Sequence, residues 1–296
     1  TSASSRSRPT AGVHPRSARS LSRSSAGGGS PRVLAIESSC DETAAAVLDG
    51  PQSLRASVVH SQIPLHAQYG GVVPELASRA HIMALPDVVG AALRDAGLTV
   101  GDVDAIVVTR GPGLVGSLLA GIEFAKGIAL SLDVPLIGVH HLEGHLWAGY
   151  LEVASGFDAP SWPFVGLLVS GGHTGLYLCR GPADYEELGS TVDDAVGEAY
   201  DKLSKLLGLG YPGGAVIDGR ASRGRPGAVF MPRPMLTKGG SSFSFSGLKT
   251  AAAQHLEARP GMSEQDVDDL CAGFQEAAVD VLVTKTLRAA KRAGVR

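Results

Sequence analysis

Apolar residues recur along this chain with two periods, and the switches between them mark its elements. Short apolar runs at 33–36 and 43–48, with a third β-like stretch near 56–62, read as strands joined by tight polar turns. Helical spacing then covers roughly 74–96, followed by a strand at 105–109, a helix at 114–132 and a strand at 135–139. Gly, Ser and two Pro over 153–163 predict a linker. Beyond it the opening pattern recurs: an apolar run at 164–169, the turn Ser170-Gly171-Gly172-His173, and a returning strand at 174–179. Helices are predicted at 192–207, 246–258 and 264–293.

Two hairpins, each opening one half of the chain on a polar or Gly-rich turn, suggest an α/β protein of the two-lobed actin-like ATPase type, a duplicated ribonuclease H-like fold. In that architecture the paired turns face one nucleotide, and their backbone N–H groups can cradle phosphate oxygens. The expected division is a Ser/Arg-rich tail at 1–32, an N-terminal lobe at 33–152 and a C-terminal lobe at 160–296. A doubly wound lobe returns to its sheet after a helix such as 264–293, so the second lobe is expected to be truncated at Arg296. The tail has almost nothing to bury and is expected to be disordered. Its acid-free composition also fits an organellar transit peptide, although it lacks an amphipathic period and begins with Thr.

Composition narrows the function classes. Hydrophobic residues make up 44% of the 296, enough for real cores, yet Gly, charged or polar residues interrupt every apolar stretch, so no membrane span is expected. Cys40, Cys179 and Cys271 are widely spaced and odd in number, which suggests neither a disulfide framework nor a zinc ribbon and points to a reducing, cytoplasmic compartment. Residues 1–32 hold six Arg and no acid, leaving the rest with 20 basic against 29 acidic residues, a net charge of −9. An RNA substrate would then need a local basic patch or a partner protein to supply positive charge.

Three segments carry candidate chemistry. In His140-His141-Leu142-Glu143-Gly144-His145, directly after an apolar strand, His141 and His145 share a helix face and can present two imidazoles to one metal ion; helix capping and partial burial are the alternative. Glu143 lies about 200° around the helix from them, where a metalloprotease glutamate would not be placed. In the second segment, 191–202, Thr191 with Asp194 resembles a capping box and Glu198 with Lys202 an ion pair four residues apart. Asp201 is left over, about two turns before the Gly-rich stretch 208–214, where a carboxylate could accept ribose hydroxyls. The third, Gly111-Pro112-Gly113-Leu114-Val115-Gly116, matches a dinucleotide fingerprint literally but follows at least the fourth strand rather than the first, so close helix-to-strand packing is the better reading. No GxxxxGK[ST] motif is present.

Seven blocks together resemble the TsaD family of tRNA N6-adenosine threonylcarbamoyltransferases: IESSCDET (36–43), HAQYGGVVPELASRAH (66–81), GPGLVGSLLAG (111–121), HHLEGH (140–145), LLVSGGHT (167–174), DDAVGEAYDKLSKLLGLGYPGG (193–214) and FSFSGLKT (243–250). The resemblance implies His141 and His145 as ligands of one divalent metal ion, iron or zinc. It implies substrate contacts at Leu168, Val169, Ser170, Gly171, Gly172, Asp201, Gly214 and Asp218, and an acidic residue facing the active site at Asp41, a candidate proton acceptor. Family members continue with a GGVxxNxxLR and then a CTDNAxM segment, which supply a nucleotide-binding Asn and a third metal ligand; neither lies within these 296 residues.

The activity implied is transfer of threonylcarbamoyl from threonylcarbamoyl-AMP to the N6 amine of the adenosine adjacent to the anticodon, in tRNAs that read codons beginning with A. The implied partners are tRNA, a paralogous scaffold subunit and a small accessory ATPase, with no membrane. A related carbamoyltransferase with another acceptor shares the fold and a His-rich motif, and noncatalytic scaffold proteins share the fold but typically lack the histidine pair.

Overall fold

The chain opens as an antiparallel meander of β1 (Arg32–Glu37), β2 (Glu42–Asp49) and β3 (Ser53–Ser61), with β1 and β2 paired from Arg32 with Asp49 to Glu37 with Ala44. After the short α1 (Ile63–Ala67) and the long α2 (Pro74–Asp95), β4 (Ala105–Gly111) joins β1 in parallel. Helix α3 (Val115–Leu132) then leads to β5 (Leu136–His140), parallel to β4, and completes the order β3-β2-β1-β4-β5. Parallel neighbours need long crossovers, and α2 and α3 supply them. This is the ribonuclease H-like lobe of an actin-like fold. The structure is a computed structural model and describes residues 30–151, 160–237 and 239–295.

Alternation along the strands decides which face is covered. Leu34, Ile36, Ala45 and Val47 point to one side and pack under Leu85, Val89 and Ala92 of α2 and Ala125 and Ala129 of α3. Helix α3 has the length and mean hydropathy, 1.5, of a membrane-crossing segment. Here it lies on the sheet beside α2 and carries Glu123 and Lys126, paired at 2.6 Å.

Helix α4 (His141–Trp147) follows β5 directly. The second sheet is β6 (Phe164–Val169), β7 (Thr174–Gly181) and β8 (Asp184–Ser190), antiparallel in that order. Around it stand α5 (Val196–Leu206), α6 (Gly213–Ala221), α7 (Ser246–Ala258) and α8 (Glu264–Ala293). Leu176, Leu203, Ile217, Phe243, Phe245 and Phe274 form their common core, all fully buried. Capping fixes the ends of α8: Ser263 accepts the Asp266 N–H, and Gly294 takes φ 69° beyond the last turn. Asp193 ties the 243–246 segment down by accepting from the Phe245 N–H at 2.8 Å and the Ser246 hydroxyl at 2.6 Å.

Several local expectations change. Helix α5 begins at Val196 rather than at 192, and the Thr191–Asp194 capping box does not form: Thr191 donates to the Asp194 carbonyl, and the Asp194 carboxylate holds Lys202. The Glu198–Lys202 pair is present at 2.9 Å. Gly213 and Gly214, expected in a turn, are the first residues of α6, and β8 lies where no strand was expected. The tail expected over 1–32 falls outside the described residues except for its last three, of which Arg32 begins β1, and most of the 153–163 linker is likewise outside them.

Candidate active site

Strands β1, β4 and β5 run in one direction, so their carboxyl ends gather Glu37, Thr109 and His140–His141 at one edge of the sheet, where open α/β sheets hold ligands. The β1–β2 turn, residues 38–41, is fixed there from two sides. His81 of α2 donates from Nε2 to the Cys40 carbonyl at 2.9 Å and meets the Thr43 hydroxyl at Nδ1, 2.8 Å away. From the other side the Leu114 N–H donates to the Ser39 carbonyl at 2.8 Å. A Cβ on Gly113 would lie 2.5 Å from that same oxygen, so glycine is required for the approach. The decoy fingerprint is thus a packing motif, with Gly113 against the turn. His66 and His81, from the block 66–81, are both buried and hydrogen-bonded, so their role is structural.

The histidine pair lies on α4 as its spacing requires. His141 and His145 bring their Nε2 atoms to 3.2 Å, with ring planes at 83°. Behind them, His141 Nδ1 lies 3.2 Å from Glu37 Oε2 and 3.2 Å from the Ser39 hydroxyl. Glu37 also accepts from the Thr109 hydroxyl at 2.6 Å and from the Ser39 N–H. Burial alone would raise the Glu37 carboxyl, but these hydrogen bonds outweigh it and hold it at about 2, so it is ionised. Partial burial, and then the neighbouring His141, lowers His145. Glu143 is not in the cleft lining, and its charge acts on Tyr185 instead, as expected from its position on the helix.

The β6–β7 turn, residues 170–173, faces the first turn. Ser170 closes it, donating its N–H to the His173 carbonyl at 2.8 Å and accepting the His173 N–H at 3.0 Å. Gly197, in the first turn of α5, presses on it so closely that a Cβ would come within 2.6 Å of the Ser170 carbonyl oxygen. Further along α5, Asp201 Oδ1 accepts the Gly213 N–H at 2.7 Å and so caps α6. Burial raises the Asp201 carboxyl, with Asp41 and Glu198 adding repulsion. Tyr211 is pushed up to about 12 by burial, and then by Asp41 and Asp201.

Between the two turns lies a cleft of about 750 Å³. It brings together Asp41, His141, His145, Ser170, Gly171, Gly172 and Asp201. The other four expected contacts lie outside its lining. Leu168 is buried against Leu142, Tyr177 and Cys179, and Val169 is exposed. Gly214 and Asp218 share a face of α6, and Asp218 accepts from Gln275 at 2.9 Å. The cleft adds residues that sequence reasoning missed, chiefly Glu37, His173, Lys205 and Tyr211. Glu37 had one visible signal, as the acid that ends an apolar strand. Among the described residues no group of three or more His, Cys, Asp and Glu side chains is set to hold a metal; the ring of His173 stands 5.8 Å from that of His141.

Residues 53–296 match the family described as TsaD, tRNA N6-adenosine threonylcarbamoyltransferase. A protein of that name from Pelobacter propionicus is 53% identical over 264 residues, spanning 89% of this chain and 76% of the relative. Another from Trichlorobacter lovleyi is 54% identical over 265 residues, with the same shares. Among solved structures, component A of the (R)-2-hydroxyglutaryl-CoA dehydratase of Acidaminococcus fermentans covers 90% of this chain and 80% of its own, at 15% identity and a TM-score of 0.48.

Proposed function

Because the chain belongs to the TsaD family of tRNA N6-adenosine threonylcarbamoyltransferases, a family of enzymes, we propose that it transfers threonylcarbamoyl from threonylcarbamoyl-AMP to the N6 amine of the adenosine adjacent to the anticodon, in tRNAs that read codons beginning with A. The observation that carries this reading is the histidine pair on one wall of a cleft whose other wall is a Gly-rich turn.

Two nitrogens bound tetrahedrally to one ion at 2.0–2.1 Å stand about 3.4 Å apart, and the Nε2 separation of 3.2 Å fits that requirement. His141 and His145 would therefore hold a divalent ion, iron or zinc. Such an ion, when bound, supplies Lewis acidity toward an acyl or phosphoryl oxygen. The backbone at Gly171 and Gly172, with open space before it, receives phosphoryl oxygens of the adenylate, and Asp201 accepts its ribose hydroxyls. The adenosine amine then forms a bond to the carbamoyl carbon, the carbon–oxygen bond to phosphate breaks, and AMP leaves with the electron pair. Asp41 takes the amine proton.

With a net charge of −9 over residues 33–296, tRNA attraction needs a local basic patch or partners, for which a paralogous scaffold subunit and a small ATPase are the candidates. Incubation of the protein with those partners, tRNA and threonylcarbamoyl-AMP, followed by nucleoside mass spectrometry, tests the reading. Threonylcarbamoyladenosine in tRNA is expected. Carbamoylation of small-molecule acceptors with unmodified tRNA overturns it.

A further inference from the structure

Among the described residues, Glu37 is the carboxylate hydrogen-bonded behind the histidine pair, and its bonding pattern constrains His141. Resting on the metal reading above, we propose that Glu37 is a positioning residue: it holds the proton of His141 on Nδ1 and thereby keeps the Nε2 lone pair turned toward His145 and the cleft. An ionised carboxylate can only accept hydrogen bonds. Glu37 Oε2, 3.2 Å from His141 Nδ1, therefore requires a proton on that nitrogen. The Ser39 hydroxyl, also 3.2 Å from Nδ1, can donate or accept and imposes nothing. Glu37 itself is fixed by the Thr109 hydroxyl at 2.6 Å and by the Ser39 N–H, so it cannot swing away without losing both. Carboxylates behind metal-binding histidines act in this way, setting the tautomer and ring orientation and raising the basicity of the ligating nitrogen.

Two measurements test the role. In the metal-free protein, long-range 1H–15N correlation of the histidine rings should show His141 protonated at Nδ1, and Glu37→Gln, whose carboxamide can donate as well as accept, should let the Nε2–H form appear. With zinc added, competition against a chromophoric chelator should show Glu37→Gln binding zinc about 10- to 100-fold more weakly, with a melting temperature close to that of the parent protein. Should Glu37→Gln fail to fold, Thr109→Val removes one restraint on the carboxylate and should weaken zinc binding by a smaller factor, about two- to fivefold. A parent protein with His141 protonated at Nε2, or zinc affinities within twofold for the parent and both variants, overturns the proposal. Absence of zinc binding by the parent would defeat the metal reading of the site, while the ring spectra would still decide the role of Glu37.

Discussion

The buried ring of His81 accepts the hydroxyl proton of Thr43 at Nδ1, across 2.8 Å, because its Nε2 proton is committed to the Cys40 carbonyl. The bond to the Cys40 carbonyl needs a proton on Nε2, and acceptance at Nδ1 needs the neutral imidazole, so only the Thr43 bond is lost when the ring gains a second proton. Burial lowers His81 below the ordinary value of 6.5, so the unfolded chain takes up a proton first as acid is added. Stability should be complete above about pH 6.5 and fall as the pH drops toward the lower folded-state value. His81→Leu should lower stability by about 1–3 kcal/mol, by removing the partner of the buried Thr43 hydroxyl and the nearer donor to the Cys40 carbonyl, and should flatten this acid dependence. Thermal melts of both proteins from pH 7.5 to pH 5 check it; an unchanged acid slope in the variant would assign the dependence to other histidines.

His141 and His145 should fail separately as well as together. Either alanine substitution leaves one imidazole, which cannot hold a divalent ion without its partner. Elemental analysis after zinc or iron loading should show bound metal falling to background in each variant, with tRNA modification falling in parallel. Full occupancy in the double variant would exclude the pair as the ligand set.

Substitution can separate the capping role of Asp201 from the adenylate contact proposed for it. Asp201→Asn keeps an oxygen for the Gly213 N–H, so its melting temperature should stay near that of the parent, while adenylate binding weakens by about 1–3 kcal/mol. Asp201→Ala strands that N–H as well and should also lower stability by about 1–2 kcal/mol. Calorimetric titration with a threonylcarbamoyl-AMP analogue, beside thermal melts, distinguishes the two. Unaltered binding in the asparagine variant would leave Asp201 only its capping role.

Gly197 tests the second turn. A methyl group there meets backbone on two sides, 2.6 Å from the Ser170 oxygen and 2.7 Å from the Gly171 Cα. No side-chain rotation relieves either contact, so Gly197→Ala should destabilise by about 1–3 kcal/mol and displace the turn. Adenylate binding should fall more than stability does. A variant that melts and binds like the parent would show that the turn moves freely.

Much of this arrangement was legible in the sequence because it is written locally. The four-residue turns 38–41 and 170–173 follow from apolar runs broken by polar or glycine residues, and α2 and α8 from sustained helical spacing. His141 and His145 were legible because one helix carries both. The misses depend on distant partners. Helix α6 begins at two glycines because Asp201 caps it from another helix, and Glu37 is held by a histidine 104 residues away, at the start of α4. Thr191 and Asp194 have capping-box spacing, yet the helix waits until Val196, where Thr174 accepts the backbone N–H at 2.9 Å.

The contacts that hold Glu37 also set a timetable. Thr109 lies 72 residues after it and His141 lies 104 residues after it. At about 5–20 residues per second of synthesis, His141 is added roughly 5–20 seconds after Glu37. In that interval β1, β2 and β3 can pair with one another, since their turns are short, but Glu37 waits beside an unfinished sheet edge. That wall of the cleft is therefore only as old as its last-made residue, although the strand that opens it is the first part of the sheet to be synthesised.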